Sequence, residues 1–340
     1  MTGASPQADN KVADFIARGA PNAIPRLYGD ALLAAARLDP RIMCLCADLP
    51  GSTETDQFER ELPKRYINAG IAEANMIGMA AGLARCGDIP FVHSFCVFVT
   101  RRCYDQIANQ IAYPALPVKI VGFLPGLTTM LGVSHQAIDD IALMRALPNM
   151  TVIEPAGPAQ LGSAVAAALA VEGPVYLRMK RPDGPVAGLA PRDLRVGQAE
   201  RLREGRDGAL VTCGITIAAA LEAADHLAQR GIQVTILNMS TLKPLDRASI
   251  IDIARKTGVL VSIENHSVIG GLGSAISETL TDAGLPIGFA RVGIQDRFGE
   301  GGSTSYLQRK YGLAAEDIVR AFDQAVERRN AMQQFLKSTA

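Results

Sequence analysis

Short apolar, β-branched runs alternate with helix-like stretches along nearly the whole chain, and no other feature limits its fold as tightly. Runs at 42–46, 90–93, 118–122, 151–154 and 175–178 read as buried strands, with helix-like segments at 31–38, 73–85, 103–111, 139–147 and 158–171 between them. Strands joined by helices of this length form right-handed βαβ units, so a mostly parallel, doubly wound α/β sheet is expected. A Pro/Gly/Arg-rich stretch from Arg181 to Arg206 interrupts the pattern. Alternation then resumes, with strands near 209–213, 233–237, 259–263 and 287–292 and helices near 217–229, 248–256, 274–283 and 315–328. Two doubly wound α/β domains are therefore expected: an N-terminal extension 1–22, a first domain 23–185, a linker 186–205 and a second domain 206–335.

Charge narrows the partners. Lys plus Arg number 34 and Asp plus Glu 34, so no net field draws the chain to nucleic acid or to a membrane surface. A few well-placed arginines still suffice for a small anionic substrate. No apolar run approaches the roughly 20 residues of a membrane span. Met1 to Asn10 is polar and lacks the apolar core of a signal peptide, so the cytoplasm is the expected location. The six cysteines include no C-x-x-C pair and lie mostly in apolar segments, which suits buried structural thiols. No two of the four histidines stand at a metal-helix spacing.

Three segments carry candidate chemistry. In 65–76, RYINAGIAEANM, a short strand runs through Gly70 into a small-residue helix whose first turn holds Glu73. Glu73 could merely complement the helix dipole. The residues that follow, Met76 to Gly82, are apolar and small, and a carboxyl at the edge of such a surface favours its protonated, donating form. In 91–102, FVHSFCVFVTRR, Phe95 and Phe98 fall at the C-terminal end of an expected strand, where open α/β sheets place ligands. They could pack in the core or build a flat platform for a ring, with Arg101 and Arg102 beside it for an anion. In 122–136, GFLPGLTTMLGVSHQ, His135 lies in a loop after an apolar strand, the location in which binding and catalytic residues concentrate.

Taken in order, G-I-A-E-A-N-M, F-x-x-F-x-x-R and the 132–150 run G-V-S-H-Q-A-I-D-D-I-A-L-M-R-A-L-P-N-M resemble the pyrimidine-binding domain of transketolases. E-N-H-S-V-I-G-G-L-G-S-A-I at 264–276 and F-G-E-G-G at 298–302 resemble that family's C-terminal domain. The likeness covers roughly 25 to 330 and implies the C-terminal section of a split transketolase. By this resemblance Glu73 hydrogen-bonds the aminopyrimidine of thiamine diphosphate and favours the imino tautomer that activates the thiazolium carbon. The cofactor then acts as electron sink while a two-carbon ketol passes between phosphorylated sugars. The resemblance also implies that Phe95 and Phe98 stack on the pyrimidine and that Arg101 and Asp48 lie at the cofactor. His135 would bond the substrate near its reacting carbons, and Ser52 and Arg181 would hold the sugar phosphate.

Some positions depart from the family pattern. Leu131 replaces the acidic residue usually found a few positions before the histidine, Arg101 replaces a tyrosine, and His93 stands where small residues are usual. Pro25 and Arg26 both fall near the place of a phosphate-binding arginine. No Gly-Asp-Gly occurs, and Pro182-Asp183-Gly184 lies in the linker without a strand before it. The family binds Mg²⁺ and the diphosphate with that segment. A partner subunit carrying the diphosphate-binding domain is therefore implied, with the cofactor shared between chains, the Mg²⁺ bound by the partner, and an α2β2 assembly. Alternatives of the same architecture are the beta subunit of a 2-oxo-acid dehydrogenase first component and a fragment of a 1-deoxyxylulose-5-phosphate synthase. From another class comes a non-catalytic assembly subunit that keeps the fold.

Overall fold

The computed structural model describes residues 26–181 and 192–339. The expected extension 1–22, Pro25, Pro182-Asp183-Gly184 and part of the expected linker lie outside them. The first half builds strands β1 (Ile42–Cys46), β2 (Tyr66–Asn68), β3 (Ile89–Phe95), β4 (Lys119–Phe123), β5 (Thr151–Ile153) and β6 (Val175–Met179). Its helices are α1 (Leu27–Leu38), α2 (Asp56–Glu61), α3 (Glu73–Arg85), α4 (Cys96–Arg101), α5 (Asp140–Ala146) and α6 (Pro158–Leu169). The second half adds β7 (Glu200–Arg203), β8 (Gly208–Thr212), β9 (Val234–Asn238), β10 (Thr241–Lys243), β11 (Val259–Ser267) and β12 (Gly288–Ile294). Its helices are α7 (Ile217–Gln229), α8 (Arg247–Thr257), α9 (Leu272–Asp282), α10 (Thr304–Lys310) and α11 (Ala315–Thr339).

Two mostly parallel sheets result, in the orders β10-β5-β6-β4-β3-β1-β2 and β12-β11-β8-β9-β7. The fold is thus α/β, as the alternation requires. Both sheets take an antiparallel edge strand: β10 against β5 and β7 against β9. β7 lies inside the stretch expected to be linker. β10 leaves its own half of the chain to extend the first sheet, so the two halves interlock. No periodicity in a three-residue strand announces such a crossing.

Local choices follow ordinary rules. The inner strands β4, β6, β8 and β9 are buried from end to end, as strands covered on both faces must be. In α3, Met76, Ile77, Ala80, Ala81 and Ala84 are buried at helical spacing, and the small residues let the helix lie close to the sheet. α8 starts where the Asp246 carboxylate accepts the Ser249 amide and stops at Gly258, whose φ of 67° suits glycine. Five cysteines are buried and Cys86 is exposed; none is bridged.

The segment after β3 was expected otherwise. β3 ends at Phe95, and the chain turns at once into α4, so Phe98 sits on a helix and not at a strand end. Val97, Val99 and Thr100 have strand propensity, which hid the helix; the Thr100 hydroxyl bonds the Cys96 carbonyl at 2.6 Å. Beyond it, the helix expected at 103–111 is a turn at Tyr104–Gln106 running into a π-helical turn, Ile107–Ala112.

Candidate functional site

The C-terminal ends of β1 to β4 open on one edge of the first sheet, the edge at which parallel α/β sheets carry ligands. After β2 the chain turns through Gly70 in a left-handed conformation, φ 70°, and α3 begins at Glu73. The Glu73 side chain is 3% exposed. Its Oε1 accepts the Ser94 hydroxyl at 3.4 Å, and Nη1 of Arg102 donates to Oε1 and Oε2 at 3.2 and 3.0 Å. The same guanidinium lies 4.2 Å above the Phe98 ring. Phe95 and Phe98 have centroids 5.9 Å apart, tilted by 37°. His135 meets Phe98 edge-on at 5.1 Å and Phe95 at 6.0 Å. Four residues drawn from three separate sequence segments, Glu73, Phe95, Phe98 and His135, thus meet in one cluster, with Arg102 among them.

His135 ends a tight turn, Val133–His135, where the Ser134 hydroxyl pairs with its Nδ1 at 2.9 Å. Burial, then the nearby Arg102 charge, hold its pKa below the ordinary histidine value. The imidazole is accordingly neutral at neutral pH, able to donate or accept a hydrogen bond.

The other expected residues are placed as follows. Arg101 does not reach the cluster: it forms an ion pair with Asp139, Nε donating at 3.0 and 2.9 Å. Its neighbour Arg102 is the one that meets Glu73, so Glu73 faces a cation where an apolar surround was expected. Asp48 is exposed, in a left-handed conformation with φ 58°. Asn68 fixes it, its Oδ1 accepting the Asp48 amide at 3.2 Å and its Nδ2 donating to Oδ1 of Asp48 at 3.2 Å. Asn68 also accepts the Gly70 amide at 3.0 Å, so the turn leading to Glu73 hangs on the same side chain. Ser52 is buried, and Arg181 donates to the neighbouring Gly51 carbonyl at 3.1 Å. Arg26 is paired with Asp56. Arg26 and Arg181 both act on buried Glu54, whose pKa burial raises, so the two arginines share one polar corner after β1. His93, at the position noted as unusual, is wholly buried: its Nδ1 donates to the Leu45 carbonyl at 2.9 Å and its Nε2 pairs with the Tyr28 hydroxyl at 2.7 Å.

Arg102 was missed as a partner of Glu73, although a signal existed. Phe98 and Arg102 are four apart, a spacing that puts them on one helix face once α4 is known. Also missed was Arg178, wholly buried between the halves of the chain, which donates to Asp140, Glu154 and the Asn265 carbonyl at 2.8, 2.7 and 2.9 Å.

The cluster suits a flat, polar ring. A guanidinium is planar and donates through N–H, and here one is stacked on Phe98 while bonded to the Glu73 carboxylate. An aminopyrimidine has a flat face for Phe98 and a ring nitrogen that could meet the Glu73 carboxyl. Among the described residues, no group of three or more His, Cys, Asp or Glu side chains could hold a metal ion, and no helix is long and apolar enough to cross a membrane.

Comparison with known proteins accords with this geometry. The transketolase pyrimidine-binding domain matches residues 22–186, and the transketolase C-terminal domain matches residues 197–318. The chain is 46% identical over 304 residues to the 6-deoxy-6-sulfo-D-fructose transketolase subunit SqwH of Clostridium sp. (strain MSTE9), covering 89% of this chain and 94% of that one. It is 41% identical to 1-deoxy-D-xylulose-5-phosphate synthase of Thermomicrobium roseum, covering 88% of this chain but 48% of that longer protein. Among solved structures, a split gene transketolase described as an inactive beta4 tetramer superposes with a TM-score of 0.83 at 44% identity, covering 89% of this chain and 98% of that one.

Proposed function

Because this chain belongs to the transketolase family, we propose that it is the pyrimidine-side subunit of a split thiamine diphosphate enzyme moving a two-carbon ketol unit between phosphorylated sugars. The observation that carries the reading is the buried Glu73 carboxyl at the head of α3, facing the Phe95–Phe98–His135 aromatic cluster on the ligand edge of the sheet. When bound, thiamine diphosphate supplies the electron sink for cleaving a carbon–carbon bond beside a carbonyl.

The chain's own residues do the rest. Glu73 meets a ring nitrogen of the pyrimidine through a hydrogen bond, and its burial keeps water from competing for that contact. Phe98 and Phe95 supply the stacking surface. His135, neutral and wedged against both rings, hydrogen-bonds a substrate oxygen. Arg181 and Ser52, with Arg26 close by, hold the anionic end of the sugar. That the relative of Clostridium acts on a sulfosugar, also anionic, supports an anion site there.

Two observations support a partner subunit. No Gly-Asp-Gly segment occurs in the sequence to grip a diphosphate and its Mg²⁺. Exposed apolar side chains fringe the candidate site: Ile71 two residues before Glu73, and Met130 and Val133 in the His135 loop. The inactive beta4 tetramer of the split gene relative supports the same reading. The partner is proposed to bring the diphosphate domain and the Mg²⁺, most simply in an α2β2 assembly.

The test is to co-purify the chain with such a subunit and assay ketol transfer from phosphorylated ketoses. Glu73→Ala should abolish transfer while assembly, followed by sedimentation, is preserved. Full activity in that variant refutes the reading and leaves the chain a structural subunit; pyruvate decarboxylation by the native pair would move it to the oxo-acid dehydrogenases.

A further inference from the structure

We propose that Arg102 is a resident stand-in for the cofactor's aminopyrimidine, occupying the slot between Glu73 and Phe98 and leaving it when the cofactor enters. The inference rests on the reading of that slot as the pyrimidine site. Three observations carry it. The guanidinium occupies at once both groups the ring needs: it donates to both Glu73 oxygens at 3.2 and 3.0 Å and covers the Phe98 face at 4.2 Å. Its shape resembles the ring's, being flat and delocalised, so the slot keeps its shape under either occupant. Its position allows departure. Arg102 follows the last residue of α4, and its side chain is 50% exposed, whereas that of Glu73 is 3% exposed. The arginine therefore closes the carboxyl from the solvent side, along the path a ring would take.

The arrangement has a physical cause. A carboxylate this deeply buried is costly without a donor or a cation. Ser94 offers one long hydrogen bond at 3.4 Å, and Arg102 supplies the rest. When a ring takes over Glu73 and Phe98, the long, half-exposed arginine loses little by returning to water. Affinity for the ring is thereby lowered by the strength of the arginine's own contacts, and those contacts hold the carboxyl in place until the ring arrives.

The experiment uses the full chain and the free pyrimidine moiety, 4-amino-5-hydroxymethyl-2-methylpyrimidine, titrated by calorimetry into wild type, Arg102→Ala, Arg102→Gln and Glu73→Gln. Thermal melts confirm folding. A half-exposed ion pair and a cation–π contact predict binding about 3- to 10-fold tighter in both Arg102 variants. Saturating pyrimidine should also speed modification of Arg102 by phenylglyoxal, read by peptide mass spectrometry, because displacement exposes the guanidinium. Weaker or unchanged binding in the Arg102 variants, or protection of Arg102 by the pyrimidine, overturns the proposal. If wild type binds and Glu73→Gln does not, such a result leaves the pyrimidine site standing and removes only the stand-in. If neither wild type nor the Arg102 variants bind, both readings fall.

Discussion

Replacing Arg178 with methionine tests whether one buried cation holds the two halves of the molecule together. The guanidinium is inaccessible to solvent and donates to Asp140 at 2.8 and 3.2 Å, Glu154 at 2.7 Å, and the carbonyls of Asn265 and Ala137 at 2.9 and 3.3 Å. Methionine fills the stem's space but leaves two buried carboxylates without their cation, Asp140 keeping only the Tyr176 hydroxyl and Glu154 the Cys213 thiol. Removing one partner from a buried pair costs about 3–5 kcal/mol. With an unfolding entropy near 2.1 cal/mol/K per residue, a chain of 340 residues should melt about 4–7 °C lower. The penalty should also depend on pH. In the native protein burial pushes Asp140 up, but Arg178 and His266 more than offset it, and its pKa lies below the usual carboxylate range. Burial raises Glu154, with Arg178 opposing and Asp140 adding to the rise. Without the guanidinium, burial governs both groups, and their folded pKa values stand above the unfolded ones. The folded variant then binds the extra protons, so its stability is fully present at low pH and lost as pH rises. Urea melts near pH 5, 6.5 and 8 should show the deficit growing with pH, and adding Asp140→Asn and Glu154→Gln should recover most of it. A deficit below about 1 kcal/mol, or one that does not change with pH, refutes the assignment of Arg178 as the clamp.

Two further perturbations probe the same frame. Gly126→Ala should be severely destabilising, because φ is +55° there and a Cβ would lie 2.2 Å from the Asn265 carbonyl oxygen; a melting point equal to wild type would show that the loop can shift. His93 is wholly buried and burial lowers its pKa to about 4 from 6.5, so the unfolded chain takes up its proton first as pH falls. Stability should be intact above about pH 6.5 and decline by about 3 kcal/mol by pH 4 from this residue alone. His93→Leu should flatten that part of the acid limb, at a cost of about 1–3 kcal/mol for the unpaired Tyr28 hydroxyl.

Much of this architecture was legible in the residues, and the failures share a cause. Helices such as α3 and α7 announce themselves because their apolar residues recur on one face, and the buried strands because β-branched residues run together. β10 was not legible: a three-residue strand owes its place to a partner strand some 90 residues away in sequence, and nothing local encodes that pairing. α4 was misjudged because Val97, Val99 and Thr100 favour strands, while the turn at Cys96 follows from packing against β4 and α5. The same error concealed Arg102, since its tie to Phe98 exists only on a helix. That Glu73, Phe95, Phe98 and His135 cluster was legible because each lies between a strand and the following helix, or early in that helix, on one sheet edge, a position set by topology. Arg101 turns to Asp139, a side-chain direction that the sequence leaves open between Asp139 and the aromatic cluster.

The second half of the chain contributes none of the clustered side chains, yet it fixes where His135 sits. The loop from Pro125 to Asp140 is held by that half along its length. The Asn265 side chain accepts the Leu127 amide at 3.0 Å and donates to the Pro125 carbonyl at 3.0 Å. Gln136, next to His135, donates to the Glu300 carbonyl at 2.8 Å. At the loop's end Asp140 is pinned from the first half, by the Tyr176 hydroxyl of β6 at 2.6 Å and by Arg178 of the same strand, which in turn grips the Asn265 carbonyl of β11. An imidazole on a free loop could not keep one orientation against two phenyl rings, because loop motions are wide on the scale of a hydrogen bond. Fastened directly to β11 through Asn265 and to the segment before α10 through Glu300, the loop inherits the rigidity of the second sheet. On this argument the buried polar network between the halves is how a domain with no residue in the cluster sets the geometry of the site, and weakening it should loosen His135 before it unfolds either sheet.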